Sequence, residues 1–232
     1  CIFNVLSAMS VVSLFIIFVF FVLILSYILY RKAKWKTLEP LFPREFNFGK
    51  RQQTFKRSLY LLKERGATCL IETGVARYGL NNSKSDGAST VVFGLWAKQN
   101  NAFLYAVDIS PDSVAGAYSA VERLGLTKEV NLITGDSIDF LEKFEDSVDF
   151  LYLDSYDYDK YDASIQLASQ DHHLNEFKAI EARLSSNAVV LIDDCDLPNG
   201  GKGKKVVQYM IGKGWVIDVQ AYQILLIRDN SL

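Results

Sequence analysis

Cysteine is scarce in this chain: Cys1, Cys69 and Cys195 are far apart and odd in number. No disulfide framework and no paired-cysteine zinc pattern follows, which suits a reducing compartment. A surplus of charge is also missing. The formal net charge is −2, which gives no electrostatic reason to expect a nucleic-acid partner. Repeats and low-complexity segments are absent. So is a G-x-G-x-x-G in the loop after the first strand-like run, so a dinucleotide's pyrophosphate lacks its usual cradle.

What is present falls into two materials. Ile2 to Tyr30 contains no charged residue, and a bilayer core needs about 20 apolar residues in a helix. The run is too long for a signal-peptide core and lacks a small-residue cleavage site, so it predicts an anchor that is kept. Arg31, Lys32, Lys34 and Lys36 follow at once, with Trp35 among them. Such a cluster stays on the cytoplasmic side, which predicts a single-pass protein whose remaining chain faces the cytosol. The expected organisation is an anchor over 1–30, a juxtamembrane linker over 31–50 with Pro40 and Pro43, and one domain over 51–232. A chain that starts at Cys1 rather than Met is also expected to be a fragment.

Beyond the linker, RQQTFKRSLYLLKERG reads as an amphipathic helix closed by Gly66. Strand-like runs near 68–72, 103–108, 130–134, 148–153 and 188–192 then alternate with helical patterns near 89–99, 112–124, 137–144, 172–184 and 203–211. Val114, Tyr118, Val121 and Leu124 make one helical stripe, and Leu174, Phe177, Ile180 and Leu184 another. Continuous apolar strands between such helices predict a parallel sheet covered on both faces. The tail, WVIDVQAYQILLIRDN, holds two strand runs with almost no room between them, hence an antiparallel hairpin. The expected fold is α/β: a Rossmann-like, mostly parallel seven-stranded sheet with a C-terminal antiparallel hairpin, preceded by one transmembrane helix.

Ligands of open parallel sheets sit outside the carboxyl ends of the strands. Those ends deliver Glu72-Thr73-Gly74, Asp108-Ile109-Ser110, Gly135-Asp136-Ser137, Asp154-Ser155 and Asp193-Asp194. A carboxylate capping a helix N-terminus accounts for any one of these acids; an acid at every strand end points to a ligand that carries positive charge and no phosphate. S-adenosylmethionine has a sulfonium, an amino group and a ribose whose hydroxyls can share one carboxylate. Asp108 is the natural ribose acceptor, 21 residues beyond Gly87 and so close to the roughly 20 expected of an acid ending the second strand. Asp136 and Ser137 would face the adenine, and Gly74 would let backbone approach the methionine end. Glu72, Thr73, Ile109 and Gly135 complete the expected cofactor set.

LIETGVARYG with DGAST, VDIS, GDS, LYLDS and LIDDCD resembles class I S-adenosylmethionine-dependent methyltransferases, over about residues 66–228. Around Glu72, Thr73, Gly74, Arg77 and Gly79 it looks most like the macrocin-type sugar O-methyltransferases. LNNSKSD departs from that pattern as an insertion in the first loop, a possible lid or substrate contact. The resemblance implies O-methylation of a sugar, glycolipid or small-molecule hydroxyl.

Asp154, Asp193 and Asp194 end neighbouring strands, and three such carboxylates would push one pKa upward unless a cation neutralises them. Hard oxygen ligands point to Mg²⁺ or Ca²⁺, and macrocin-type and catechol-type enzymes are similar in binding a divalent ion there. The alternatives are that the acids cap the following turn, or that Lys202, Lys204 or Lys205 pairs with them. The catechol-type base is a Lys three positions after the first metal Asp; here that position is Asp157. Asp157, Asp159, His172 and His173 are the available bases, with Asp157 and His172 preferred and His173 read as packed core. Three tyrosines in DSYDYDKYDASIQ offer a stacking surface for an acceptor. Cys195 has no basic partner and is assigned no chemistry. Two other readings remain: a membrane-tethered module that binds cofactor or nucleotide without catalysis, and a related fold member carrying out hydroxylation.

Overall fold

The computed structural model describes residues 11–34, 38, 41 and 46–228, and the chain divides into two units, 1–44 and 45–232. The first contains helix α1 (Val11–Lys34), 24 residues long. Its side chains are described over 13–27 and at 29. Among the described residues no helix is long and apolar enough to cross a membrane. Leu14, Phe15, Phe18, Phe20 and Leu23 are all exposed on α1. Residues 1–10 of the expected anchor and nearly all of the linker between Lys34 and Phe46 lie outside the described residues.

The second unit alternates helices and strands: α2 (Gln52–Glu64), β1 (Cys69–Thr73), the short α3 (Ser83–Asp86), α4 (Ser89–Asn100), β2 (Phe103–Asp108), α5 (Pro111–Arg123), β3 (Val130–Thr134), α6 (Ser137–Lys143), β4 (Val148–Leu153), α7 (Ala163–Ile180), β5 (Leu184–Ile192), α8 (Lys204–Gly212), β6 (Trp215–Gln220) and β7 (Ile224–Arg228). The seven strands form one sheet in the order β3-β2-β1-β4-β5-β7-β6. The first five are parallel, and β7 runs antiparallel to both β5 and β6. The expected hairpin is there, turning through Ala221–Gln223. Chain order reverses between β1 and β4, which places the crevice for a ligand above those two strands.

Both sheet faces are covered, as the unbroken apolar strands require. On one face Phe55 of α2 and Phe93 of α4 meet edge to face at 5.5 Å, and Phe93 stacks on Phe150 of β4 at 4.6 Å. On the other, Ile71, Leu151, Val190 and Ile192 pack against Phe177 and Ile180 of α7 and Val206 and Met210 of α8. Fully buried aromatic and branched side chains on both sides fix each strand's register, and with it the rim where the acids emerge.

One helix is longer than its sequence pattern suggests. The expected helix near 172–184 begins nine residues earlier, at Ala163, and ends at Ile180. Its start is set by Asp162, whose carboxylate accepts from the backbone N–H groups of Ser164 and Ile165, a standard N-cap. In ASIQLASQ the large apolar residues Ile165 and Leu167 stand two apart, so no helical period marks it. The correction moves His172 and His173 from a helix start to its middle. Strand β5 likewise begins at Leu184 rather than at Ala188.

Candidate active site

Two cavities open at the carboxyl rim of the sheet, separated by the Asp154-Ser155 turn. The first lies over β2 and β3 and is lined by Asp108, Ile109, Asp136, Ser137, Ser155 and His172. Asp108 ends β2, and its carboxylate is oriented by two backbone donors: Ser110 N–H at 2.8 Å and Val75 N–H at 3.2 Å. Asp136 caps α6, accepting from Asp139 N–H at 3.0 Å. Ile109 stands 73% exposed over the cavity, an apolar surface that only a bound ring would cover. Ser155 Oγ is buried without a hydrogen-bond partner.

His172 belongs to this cavity. Its Nε2 lies 3.2 Å from Ser137 Oγ and 3.3 Å from Glu176 Oε1. Both partners meet the same ring nitrogen, so the trio is not a serine–histidine–acid relay, which needs one partner on each nitrogen. Burial alone would lower the His172 pKa, but Glu176 raises it above the usual value. His173 is fully buried, with Nδ1 2.7 Å from Ser169 O, and burial pushes its pKa down to about 4. It is packed core.

The second cavity lies over β1, β4 and β5. Gly74, Asp86, Asp154, Asp157, Asp194 and Lys202 are among its lining residues. Gly74 adopts φ +79°, and a Cβ there would collide with the carbonyl of Asp154; only glycine lets the loops after β1 and β4 close on each other. Glu72 and Thr73, just before it, are fully buried. No hydrogen bond of good geometry reaches either Glu72 oxygen, and only the nearby Ser89 and Thr90 hydroxyls favour its charge. Burial raises its pKa to about 8, offset only in part by the hydroxyls of Ser89 and Thr90 at the start of α4. Gly135, in the other cavity's neighbourhood, has open space where a Cβ would sit.

Asp154, Asp193 and Asp194 come together as expected, with one oxygen of each within 4.8 Å of the others. Two buried cations come with them. The Arg51 guanidinium, 6% exposed, holds Asp193 through Nη2 at 2.6 Å and Nε at 2.8 Å. Lys202, 2% exposed, reaches Asp154 Oδ1 at 2.6 Å and Asp194 Oδ2 at 3.3 Å. Burial alone would raise the Asp193 pKa, but Arg51 brings it below the usual carboxylate range. Asp154 goes the other way, pushed well up by burial and by the charge on Asp193, against the pull of Lys202. Asp194 takes φ +51°, a strained conformation of the kind that clusters at functional sites.

The insertion is not an open flap. Ser83–Asp86 coils as α3, Ser83 Oγ donates to Asn47 O at 3.1 Å, and Ser85 O accepts from Arg51 Nη1 at 2.7 Å. Asp157 stands on the rim of the second cavity, 3.4 Å from Arg77. Cys195 is buried and inert, its thiol pKa raised by burial. Arg51 was not foreseen, because nothing local marks a residue whose partner lies 142 positions away. A lysine just after a glycine pair in LPNGGKGKK was the visible signal for Lys202.

Residues 85–195 match a family described as a methyltransferase domain. The chain carries a methyltransferase domain. No curated protein matches the sequence. In fold, the methyltransferase domain is similar to Podospora anserina methyltransferase PaMTH1 bound to S-adenosylhomocysteine (18% identity, TM-score 0.55, 76% of this chain and 78% of that one). It is similar to the O-methyltransferase of Bacillus cereus in complex with S-adenosylhomocysteine (14%, TM-score 0.53, 76% and 81%). A third is TomG of Streptomyces achromogenes, an O-methyltransferase involved in tomaymycin synthesis, in complex with S-adenosylmethionine (15%, TM-score 0.52, 77% and 81%). The matched segment of the methyltransferase domain runs from α3 to Cys195 and so includes Asp108, Asp136, Asp154, Asp193 and Asp194.

Proposed function

We propose that this S-adenosylmethionine-dependent methyltransferase methylates a hydroxyl of a sugar, a lipid-linked sugar or another small molecule. The observation that carries the reading is Asp108: a carboxylate at the end of β2, fixed by two backbone N–H groups, facing an open cavity. Both remaining lone-pair directions are free for a pair of hydroxyls, the chemistry a ribose offers. Gly74 at the end of β1, on the lining of the neighbouring cavity, is where the amino-acid end of the same cofactor would lie.

S-adenosylmethionine supplies an electrophilic methyl on a sulfonium and asks only for an in-line oxygen nucleophile and somewhere for its proton to go. Asp108, Asp136 and Ser137 hold and orient the nucleoside, with His172 buttressing Ser137. The second cavity receives the acceptor, and Asp157 on its rim takes the acceptor's proton. His172 is separated from that cavity by the Asp154-Ser155 turn and serves the cofactor side. A divalent ion, expected from the sequence, would have Asp154, Asp193 and Asp194 as ligands, but Arg51 and Lys202 already occupy them, so no step is routed through it. The domain match gives no support to a module without catalysis.

We also propose that α1 anchors the chain in a membrane, with the methyltransferase domain in the cytosol. The support is in the sequence: Ile2 to Tyr30 has no charged residue, and a bilayer core needs about 20 apolar residues in a helix. The described side chains of α1 expose leucine, isoleucine and phenylalanine together, a surface that water disfavours. Cell fractionation tests this: carbonate-resistant pelleting is expected, and release into the supernatant refutes it.

Calorimetry of the full chain with S-adenosylhomocysteine tests the central reading. Saturable heat is expected, weakened at least about tenfold by Asp108→Ala, a loss of about 1.4 kcal/mol. No heat in the unaltered chain, or equal affinity in the variant, refutes the assignment.

A further inference from the structure

We infer that the acid cluster at the ends of β4 and β5 is a metal-free centre, in which Lys202 and Arg51 hold the position that a divalent ion would take. The inference rests on the proposed site but is tested without reference to methyl transfer.

Each of the six carboxylate oxygens already faces a protein donor. Asp154 Oδ1 faces Lys202 Nζ at 2.6 Å, and Oδ2 faces the Tyr152 hydroxyl at 3.3 Å. Arg51 Nε reaches Asp193 Oδ1 at 3.1 Å and Oδ2 at 2.8 Å. Asp194 Oδ1 accepts from the Tyr222 hydroxyl, and Oδ2 faces Lys202 at 3.3 Å. An incoming ion would therefore have to compete with a protein donor at every one of these oxygens.

The cations are built in, not adventitious. Lys202 follows Gly201, whose φ of +56° and close approach to the Asp194 carbonyl exclude any Cβ. Lys202 N–H then donates back to Asp194 O at 3.3 Å, so the loop that carries Asp194 also aims the ammonium at it. The Arg51 guanidinium is clamped on three sides: Asp193, the carbonyl of Ser85, and the ring of Tyr222 at 4.9 Å. A ligated Mg²⁺ or Ca²⁺ stands about 2.0–2.6 Å from its oxygens. An ion on Asp154 Oδ1 would thus lie within about 5 Å of the ammonium that already holds that oxygen. At that distance the two positive charges repel, and the ion would have to take from Lys202 an oxygen it already holds.

The net charge supports the same arrangement. Arg51 and Lys202 offset two of the three carboxylates, and the hydroxyls of Tyr152 and Tyr222 donate to the same acids, so no large negative charge is left to demand a divalent ion. The acceptor's hydroxyl is then positioned by fixed protein groups rather than by an exchangeable ion, and methyl transfer proceeds in chelator.

The test uses the purified full chain in detergent, with Mn²⁺ as the paramagnetic probe, and S-adenosylhomocysteine binding measured on the same sample. The unaltered chain is expected to show no stoichiometric Mn²⁺ below millimolar concentration. Its melting temperature should not change with 5 mM Mg²⁺ or with EDTA. Lys202→Met, by removing the ammonium, is expected to create Mn²⁺ binding at least tenfold tighter. Stoichiometric Mn²⁺ in the unaltered chain, or a melting temperature raised by Mg²⁺, overturns the inference. So does a folded Lys202→Met chain that gains no Mn²⁺ affinity. If that variant does not fold, the two measurements on the unaltered chain decide by themselves. Loss of S-adenosylhomocysteine binding would count against the proposed function and leave the cation question untouched.

Discussion

The two cavities on the sheet's rim are built from the same kind of residue and come out differently. Over β2 and β3 the acids face solvent: Asp108 and Asp136 accept only from backbone N–H groups. Over β4 and β5 they meet side-chain cations, and Asp193 is wholly buried under Arg51. A strand that ends in aspartate therefore has no fixed meaning. Its role is decided by whether a remote cation arrives, and a carboxylate left with spare lone pairs is available to a ligand while a paired one is available only to structure.

The sharpest way to break this contrast is Arg51→Met. It leaves Asp193 buried and unpaired, and removing one partner of a buried ion pair costs about 3–5 kcal/mol. Urea unfolding should show a loss of that order, whereas Asp108→Ala should change stability by less than about 1 kcal/mol. Equal effects would erase the distinction between the cavities.

Asp157→Asn separates chemistry from structure within the second cavity. Its contact with Arg77 is exposed, and such pairs contribute about 0–1 kcal/mol. Stability should hardly move while kcat falls about 100-fold, the lower end for loss of a general base. A variant with unchanged kcat removes Asp157 from the mechanism.

Glu72 supplies a pH test. Burial raises its folded pKa to about 8 from an ordinary 4.5, so between those values the folded state binds a proton that the unfolded state has released. Stability from this residue is full below about pH 4.5 and declines as pH rises towards 8. Glu72→Gln should flatten that decline in melting temperature measured from pH 5 to 8. His173 acts in the opposite sense, because its pKa is lowered to about 4: the unfolded state takes up protons first as pH falls below about 6.5. The smallest effect expected is on the first cavity, where His172→Ala should weaken S-adenosylhomocysteine binding only a few-fold, through the loosened Ser137, with kcat at saturation unchanged. A large kcat loss would return His172 to the list of bases.

Much of this arrangement was legible before any coordinates. Strands β2, β3 and β4 announce themselves because runs of three to five mostly apolar residues end in an acid or a polar turn, and the rim acids follow from strand direction alone. The first turns of α7 were not legible, since Ser164, Gln166, Ser169 and Gln170 carry no apolar stripe and the helix is held by Asp162 and by tertiary contacts. That one gap misplaced both histidines. Lys202 was among the lysines expected to pair with the acids, as it does, but Arg51 was opaque for a different reason. Pairing of Arg51 with Asp193 depends on α2 crossing the sheet to β5, and no local pattern encodes which distant side chain completes a buried acid.

Arg51 also ties together events that are far apart in time. During synthesis it emerges well before Asp193, which follows 142 residues later, and the strand carrying Asp193 is itself flanked by β7, near the end of the domain. The centre is therefore complete only when both ends of the domain are in place. A version of this protein trimmed to begin at Gln52 would keep every strand and helix of the domain and still lose that guanidinium.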